Sequence, residues 1–62
     1  MTYEIRYITN DDGGTIARGI ADKKTAIDMA KSIDREDYDN ARIQVWGIAA
    51  DGTEDTSPVY DE

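Results

Sequence analysis

The chain begins with a regularly alternating segment, TYEIRYIT, over residues 2–9. Tyr3, Ile5 and Tyr7 fall on one face of an extended chain, and a period of two is typical of a half-buried strand. The next residues, NDDGG, combine Asn, Asp and Gly, the residue types that favour the tight turn of a hairpin. The pattern therefore predicts two antiparallel strands, with the second over residues 15–21.

The middle of the chain has the spacing of a helix. Asp22 is one of the residue types that cap helix N-termini. Apolar side chains then recur at helical spacing, which predicts a helix over residues 23–35. It should end within DREDYDN, because Asp and Asn favour turns over helix interiors. The stripe expected to face the core consists of Ala26, Ile27, Met29, Ala30 and Ile33.

The last third of the chain returns to strand patterns. Residues 41–49, ARIQVWGIA, alternate again, and Asp51-Gly52 is typical of a hairpin turn. A fourth strand is predicted over residues 53–60. It contains Pro58, which belongs on the edge of a sheet because it lacks the N–H that an inner strand needs.

The order strand, strand, helix, strand, strand predicts a single α+β domain over residues 1–62. It has two layers (ββαββ), with one helix on a four-stranded antiparallel sheet. Because successive elements run up and down in turn, an all-antiparallel sheet has the order 2-1-3-4, which leaves strand 4 on an edge. The order 1-2-3-4, with strands 2 and 3 parallel, is the alternative. The predicted core consists of Ile5, Tyr7, Ile27, Met29, Ile33, Ile43 and Val45.

Composition excludes several classes of partner. The 14 Asp and Glu residues outnumber the 7 Lys and Arg residues, and the net charge of −7 repels nucleic acid and anionic membranes. No apolar run approaches the roughly 20 residues of a membrane span, and the N-terminus lacks the pattern of a signal peptide. We therefore expect a soluble, cytosolic protein with no direct nucleic-acid partner and no membrane partner. Solubility or a halophilic origin would by themselves also account for the acidity.

The residue types that carry most enzyme chemistry are missing. The chain has no His and no Cys, which removes the Ser–His and Cys–His pairs and nearly all transition-metal sites. A calcium-binding loop has a Gly at its centre and a closing Glu, and DREDYDNARIQV has neither. NDDGG lacks the Lys of a phosphate-binding loop. We predict a protein that is not an enzyme and binds no cofactor or metal.

The predicted fold gathers acidic residues at one end, where the first hairpin turn, the helix C-terminus and the end of the chain meet. Arg35 is the only base expected nearby. Like charges placed together destabilise a compact state, and solubility does not require clustering, so the arrangement favours a binding role. The predicted partner-binding surface continues along strand 4 to the second turn. It consists of Asp34, Glu36, Asp37, Asp39, Asp51, Glu54, Asp55, Asp61 and Glu62.

The sheet face away from the helix is a second candidate surface. Arginine stems would cover its apolar residues, with one guanidinium group stacked on the Trp ring. Trp and Arg also concentrate binding energy at interfaces, so a protein partner or a second copy could dock on this face instead. The residues expected there are Arg6, Arg18, Arg42 and Trp46, flanked by Ile8, Ile16, Ile20 and Ile48.

In size, charge and layout the chain resembles the anti-CRISPR proteins, small acidic proteins that phages encode against host defence. DREDYDN and DGTEDTSPVYDE are similar in character to acidic segments of such proteins. The resemblance implies a non-enzymatic inhibitor in the cytoplasm of a bacterial host. It would occupy the nucleic-acid site of a CRISPR effector complex as a DNA mimic.

Two functions therefore compete, and we expect a monomer in either case. A carboxylate array neutralises the Lys and Arg groove that otherwise holds phosphates, which makes DNA mimicry physically coherent. The alternative is a small protein–protein interaction or regulatory module that docks through the Arg and Trp46 face. The two functions differ in the surface used and in salt dependence.

Overall fold

The computed structural model describes residues 1–61. The strands are β1 (Thr2–Ile8), β2 (Gly13–Ile20), β3 (Arg42–Ile48) and β4 (Tyr60–Asp61), the helix is α1 (Lys23–Lys31), and a 3₁₀ helix spans Arg35–Tyr38. The strands form one antiparallel sheet in the order β2-β1-β3-β4, and α1 packs on one face of it. The α+β class and the strand order predicted from the sequence are confirmed.

Small side chains bring α1 close to the sheet. Ala26 and Ala30 are buried between the helix and the sheet, so the helix backbone approaches the large side chains opposite. Met29, which was predicted to lie in the core, is 40% exposed. The centre of the apolar stripe falls on the two alanines, and Met29 lies at its border. The buried apolar residues are Ile5, Ala26, Ala30, Ala41, Ile43 and Val45.

The helix begins where the sequence predicts and ends earlier. The Thr25 N–H donates to Asp22 Oδ2 at 2.9 Å, which confirms the N-cap. The predicted end near residue 35 is wrong, because α1 stops at Lys31. Asp34 has an extended backbone, and its carboxylate accepts from the Glu36 N–H at 3.0 Å. The side chain thus caps a new 3₁₀ helix in place of continuing the old one.

β2 contains irregularities that change which residues face the helix. Ile5 pairs with Ala17, but Tyr3 pairs with Ile20, so an extra residue of β2 is accommodated between the two pairs. Gly19 lies within this bulge with φ of 72°. A second shift lies between the pairs Ile5–Ala17 and Arg6–Thr15 and takes in Ile16. Ile16 and Ile20 both pack against the core, and the prediction that both flank the open side of the sheet is wrong.

The fourth strand is much shorter than the predicted residues 53–60. Two of its backbone hydrogen bonds to β3 mark the interruption: the Asp55 N–H donates to the Gly47 carbonyl at 3.0 Å and the Val59 N–H to the Val45 carbonyl at 2.8 Å. Two steps along β3 therefore correspond to four along the C-terminal segment (residues 51–61), which bulges at residues 56–58. Pro58 has no N–H to donate to the ladder, which explains the interruption.

No helix in the part of the chain that the structure describes has the length and apolar character needed to cross a bilayer.

Candidate partner-binding surface

Two loops that are distant in sequence meet at one end of the sheet. Ile8, at the end of β1, is paired with Arg42, at the start of β3. The β1–β2 turn and the segment before β3 therefore lie side by side, and Asp11, Asp12 and Asp39 line one groove between them. We call the acidic residues of these two loops the acidic pole. It consists of Asp11, Asp12, Asp34, Glu36, Asp37 and Asp39.

The turn on one side of the pole is held by local hydrogen bonds. The Thr9 N–H donates to the Asp12 carbonyl at 2.8 Å. The Asp12 N–H donates in return to Thr9 Oγ1 at 2.9 Å, and Asp12 Oδ1 accepts from the Gly13 N–H at 2.7 Å. Asp12 thus stabilises the turn and belongs to the pole at the same time.

The segment on the other side is anchored to the sheet by aromatic rings. The Tyr38 and Tyr7 ring centres are 5.1 Å apart, a distance typical of stabilising aromatic pairs. The Tyr7 ring lies over Gly14, where an added Cβ would come within 2.8 Å of it. A side chain larger than Gly at residue 14 would therefore displace the ring that holds the 3₁₀ helix.

Backbone bonds fix the exit from the 3₁₀ helix. The Asn40 N–H donates to the Arg35 carbonyl at 2.8 Å, and Arg35 Nε donates to the Ala41 carbonyl at 3.1 Å. Asp39 and Asn40 both have φ of 57°, the left-handed region that Asp and Asn tolerate better than most residues. The acidic side chains before β3 are therefore presented on a defined backbone.

All six side chains of the acidic pole are exposed. Within residues 1–61, none of them forms an ion pair. The expectation that Arg35 is the only nearby base is wrong, because Arg42 also lines the groove. Arg42 Nε lies 3.4 Å from Asp61 Oδ1, however, so its charge is already shared. The pole keeps a strong excess of negative charge.

The predicted acids of the C-terminal segment have different surroundings. Glu54 bonds to Arg6, and Asp61 pairs with Arg42. Asp55 is half-buried beside Gly47. Asp51 is exposed in the turn after β3, at the end of the domain opposite the pole, and accepts from the Thr53 N–H at 2.9 Å. This bond lowers the pKa of Asp51. Glu62 lies outside the described residues.

The side of the sheet away from α1 carries an ionic cluster. We call it the open face, and its residues on β1 and β3 are Thr2, Glu4, Arg6, Ile8, Arg42, Gln44, Trp46 and Ile48. Arg6 Nη2 donates to Glu4 Oε2 at 2.8 Å, and its guanidinium group also bonds to both oxygens of Glu54. The bond to Glu54 raises the pKa of Arg6, and the same bond lowers the pKa of Glu54.

Trp46 completes this cluster. The guanidinium carbon of Arg6 lies 5.3 Å from the Trp46 ring centre, as expected for an arginine stacked on the ring. Trp46 Nε1 donates to Gln44 Oε1 at 3.0 Å, and Gln44 is buried. Arg18, predicted on the same face, is exposed and has no ion pair among residues 1–61. On the open face Arg6 and Trp46 are therefore in contact, and Arg42 lies on the same face in a separate pair with Asp61.

Sequence reasoning missed two participants in the cluster, Glu4 and Gln44. Each lies two residues from a partner on the same strand, Glu4 from Arg6 and Gln44 from Trp46. Residues two apart on a strand share a face, so complementary chemistry at that spacing was the available signal.

The described part of the chain contains no group of three or more acidic side chains arranged to hold a metal ion. Comparisons with protein-family models, curated proteins and solved structures find no significant match to this chain.

Proposed function

We propose that this protein is a non-enzymatic inhibitor that binds a basic nucleic-acid-binding protein through the acidic pole and so acts as a DNA mimic. The proposed partner is a CRISPR effector complex, which a phage-encoded protein would meet in the cytoplasm of a bacterial host. The observation that supports this proposal is the exposed group of carboxylates at the pole, which have no ion-pair partner within residues 1–61. A groove that binds phosphates through Lys and Arg attracts such a group for the same electrostatic reason.

The rigidity of the pole supports the same proposal. An ordered loop loses little conformational entropy when it binds. The Tyr7–Tyr38 contact and the Arg35–Ala41 hydrogen bond hold the 3₁₀ helix and the residues that follow it before any partner arrives. Glu36 and Asp37 project from this helix, so we place them at the centre of the contact.

The C-terminal acids have a secondary role in this proposal. They would contact the partner's basic groove farther from the acidic pole, and they are Asp51, Glu54, Asp55, Asp61 and Glu62. Glu54 and Asp61 are already partly neutralised by Arg6 and Arg42, so each contributes less to attraction than an unpaired carboxylate does.

The test is competition for a purified CRISPR effector complex between labelled DNA and the protein. The variant Glu36→Gln/Asp37→Asn removes two charges from the pole and should block DNA binding at least about tenfold less well. Asp22→Asn/Asp28→Asn is the matched control, because it removes two exposed charges away from the pole, and Asn can still cap α1. The control should inhibit nearly as well as the parent.

Two further measurements test the proposal: the salt dependence of inhibition and the effect of a substitution on the open face. Inhibition should weaken steeply as salt rises, because exposed charges are screened beyond a Debye length of about 8 Å at physiological ionic strength. Equal losses in the pole variant and the control would contradict a localised contact. Inhibition that is lost only in Trp46→Ala would contradict DNA mimicry and favour docking through the open face.

A further inference from the structure

Charge is distributed unevenly between the open face and the rest of the molecule. This face carries two bases, Arg6 and Arg42, which pair with three acids, Glu4, Glu54 and Asp61. Its net charge is therefore −1. The whole chain has a net charge of −7, so the rest of the molecule carries a net charge of −6. Most of this negative charge belongs to the acidic pole, which would repel a second copy, whereas the nearly balanced open face would not.

We infer that the open face is the contact surface of a weak two-fold symmetric dimer of this chain. A two-fold interface places the same patch of each copy against the other, so a patch with balanced charge suits it. A strongly charged partner finds little net attraction on this face. The inference departs from the monomer expected from the sequence, and it does not depend on the proposed function.

The size of the open face agrees with a weak dimer. The molecule measures 31 × 22 × 15 Å, and a helix lying on a sheet is thinnest along the sheet normal. The open face is therefore one of the two broad sides, with an outline of about 680 Å² for 31 × 22 Å. Standard protein interfaces bury about 800 Å² per partner, so this face reaches slightly less than the usual size.

The Arg6–Glu4 pair adds little to the cost of burying this face. Charged groups are expensive to bury when contact strips water from them. The side chains of Arg6 and Glu4 are already only 23% and 19% exposed, and they are bonded to each other. Trp46 lies beside them, and aromatic and arginine side chains are the types enriched where interfaces gain most of their energy. Ile8, 43% exposed, adds an apolar contact on the same face.

A dimer of this kind leaves Glu36 and Asp37 of the acidic pole accessible. Ile8 and Arg42, at the edge of the open face, line the groove of the pole, but Glu36 and Asp37 lie outside that groove. Rising salt screens the repulsion between two negative copies, so it should strengthen the dimer. The same change should weaken binding to a basic partner, so the two associations have opposite salt dependence.

The test is sedimentation equilibrium at protein concentrations up to about 1 mM, the range in which weak association is detectable. We expect a mass that rises with concentration from 6.9 kDa toward twice that value, more readily at high salt. Ile8→Glu should weaken association at least about tenfold, because each contact then contains two extra like charges. Met29→Glu is the matched control, since Met29 is 40% exposed on the helix side and Ile8 is 43% exposed on the open face.

Thr2→Glu provides a second test if Ile8→Glu fails to fold. Thr2 is exposed at the other end of β1 and pairs with Ile48. A mass of 6.9 kDa at every concentration and salt would overturn the inference, as would equal weakening by Met29→Glu and the open-face variants. The pole variant Glu36→Gln/Asp37→Asn should still dimerise. A monomer that inhibits the effector complex would reject the dimer alone, and a dimer without inhibition would reject the proposed function alone.

Discussion

The Arg6 guanidinium carbon lies 5.3 Å from the centre of the Trp46 ring. The same guanidinium group bonds to Glu4 on its own strand and to Glu54, which is 48 residues away in sequence. Arg6 therefore joins β1, β3 and the C-terminal segment. A short β4 and an interrupted ladder alone would hold that segment less firmly.

Replacing Arg6 by Ala should lower the free energy of unfolding by about 1–2 kcal/mol, the sum of a stacked cation and partly exposed ion pairs. Trp46 should become more hydrated, with a red-shifted emission that urea titration can follow alongside stability. Arg18→Ala is the control, because exposed Arg18 has no ion pair within residues 1–61, and it should change stability by less than about 0.5 kcal/mol. Equal effects of the two substitutions would contradict the role of Arg6.

Truncation of the core should have a far larger effect. Ile43 is 2% exposed, and Ile43→Ala should cost about 2–5 kcal/mol, which approaches complete unfolding in so small a domain. Met29→Ala should cost less than about 0.5 kcal/mol, because Met29 is at the border of the helix stripe. Thermal melts monitored by circular dichroism compare the two. A larger loss in Met29→Ala would show that the helix is rotated about its axis.

The Asp22 cap should make stability depend on acid pH. The Thr25 N–H holds the pKa of Asp22 below its ordinary value of 3.8. A lowered pKa in the folded state gives stabilisation that is fully present above that ordinary value and lost as the pH falls through the folded value. The parent should therefore melt above Asp22→Ala at pH 7, and the difference should disappear at acid pH.

Asp22→Asn is the control for the pH effect, because an amide oxygen also caps a helix and does not titrate. Its advantage over Asp22→Ala should persist through the acid range. If the difference between the parent and Asp22→Ala stays constant down to about pH 2, the ionised carboxylate is not the stabilising group.

The left-handed backbone at residue 40 gives a further prediction. Asn40 has φ of 57°, and a left-handed conformation costs most L-residues about 1–2 kcal/mol. Asn40→Ala should therefore lower stability by about 1 kcal/mol, whereas Asn40→Gly should be tolerated. Asn10→Ala, in the exposed β1–β2 turn, is the control and should have little effect in urea titration. Equal stability of the Ala and Gly variants at residue 40 would contradict the strain.

Local patterns in the sequence were sufficient for most of the fold. The alternation in residues 2–9 and 41–49, the Asp22 cap and the Gly-containing turns act over two to four residues, so they can be read directly. With four strands and one helix assigned, the up-and-down connections left two strand orders, and the structure has the one in which Pro58 lies near an edge. The clustering of acidic residues at one end of the domain was predicted from the same up-and-down path of the chain.

Pairing between distant segments could not be read in this way. The helix ends at Lys31 because Asp34 caps the next turn, and the strand predicted over residues 53–60 is interrupted because Pro58 has no N–H to donate to the ladder. Register also placed Glu54 on Arg6 and Asp61 beside Arg42, which removed both acids from the unpaired set. Short-range periodicity specifies which face a side chain occupies, whereas the partner it meets there depends on the alignment of segments far apart in the chain.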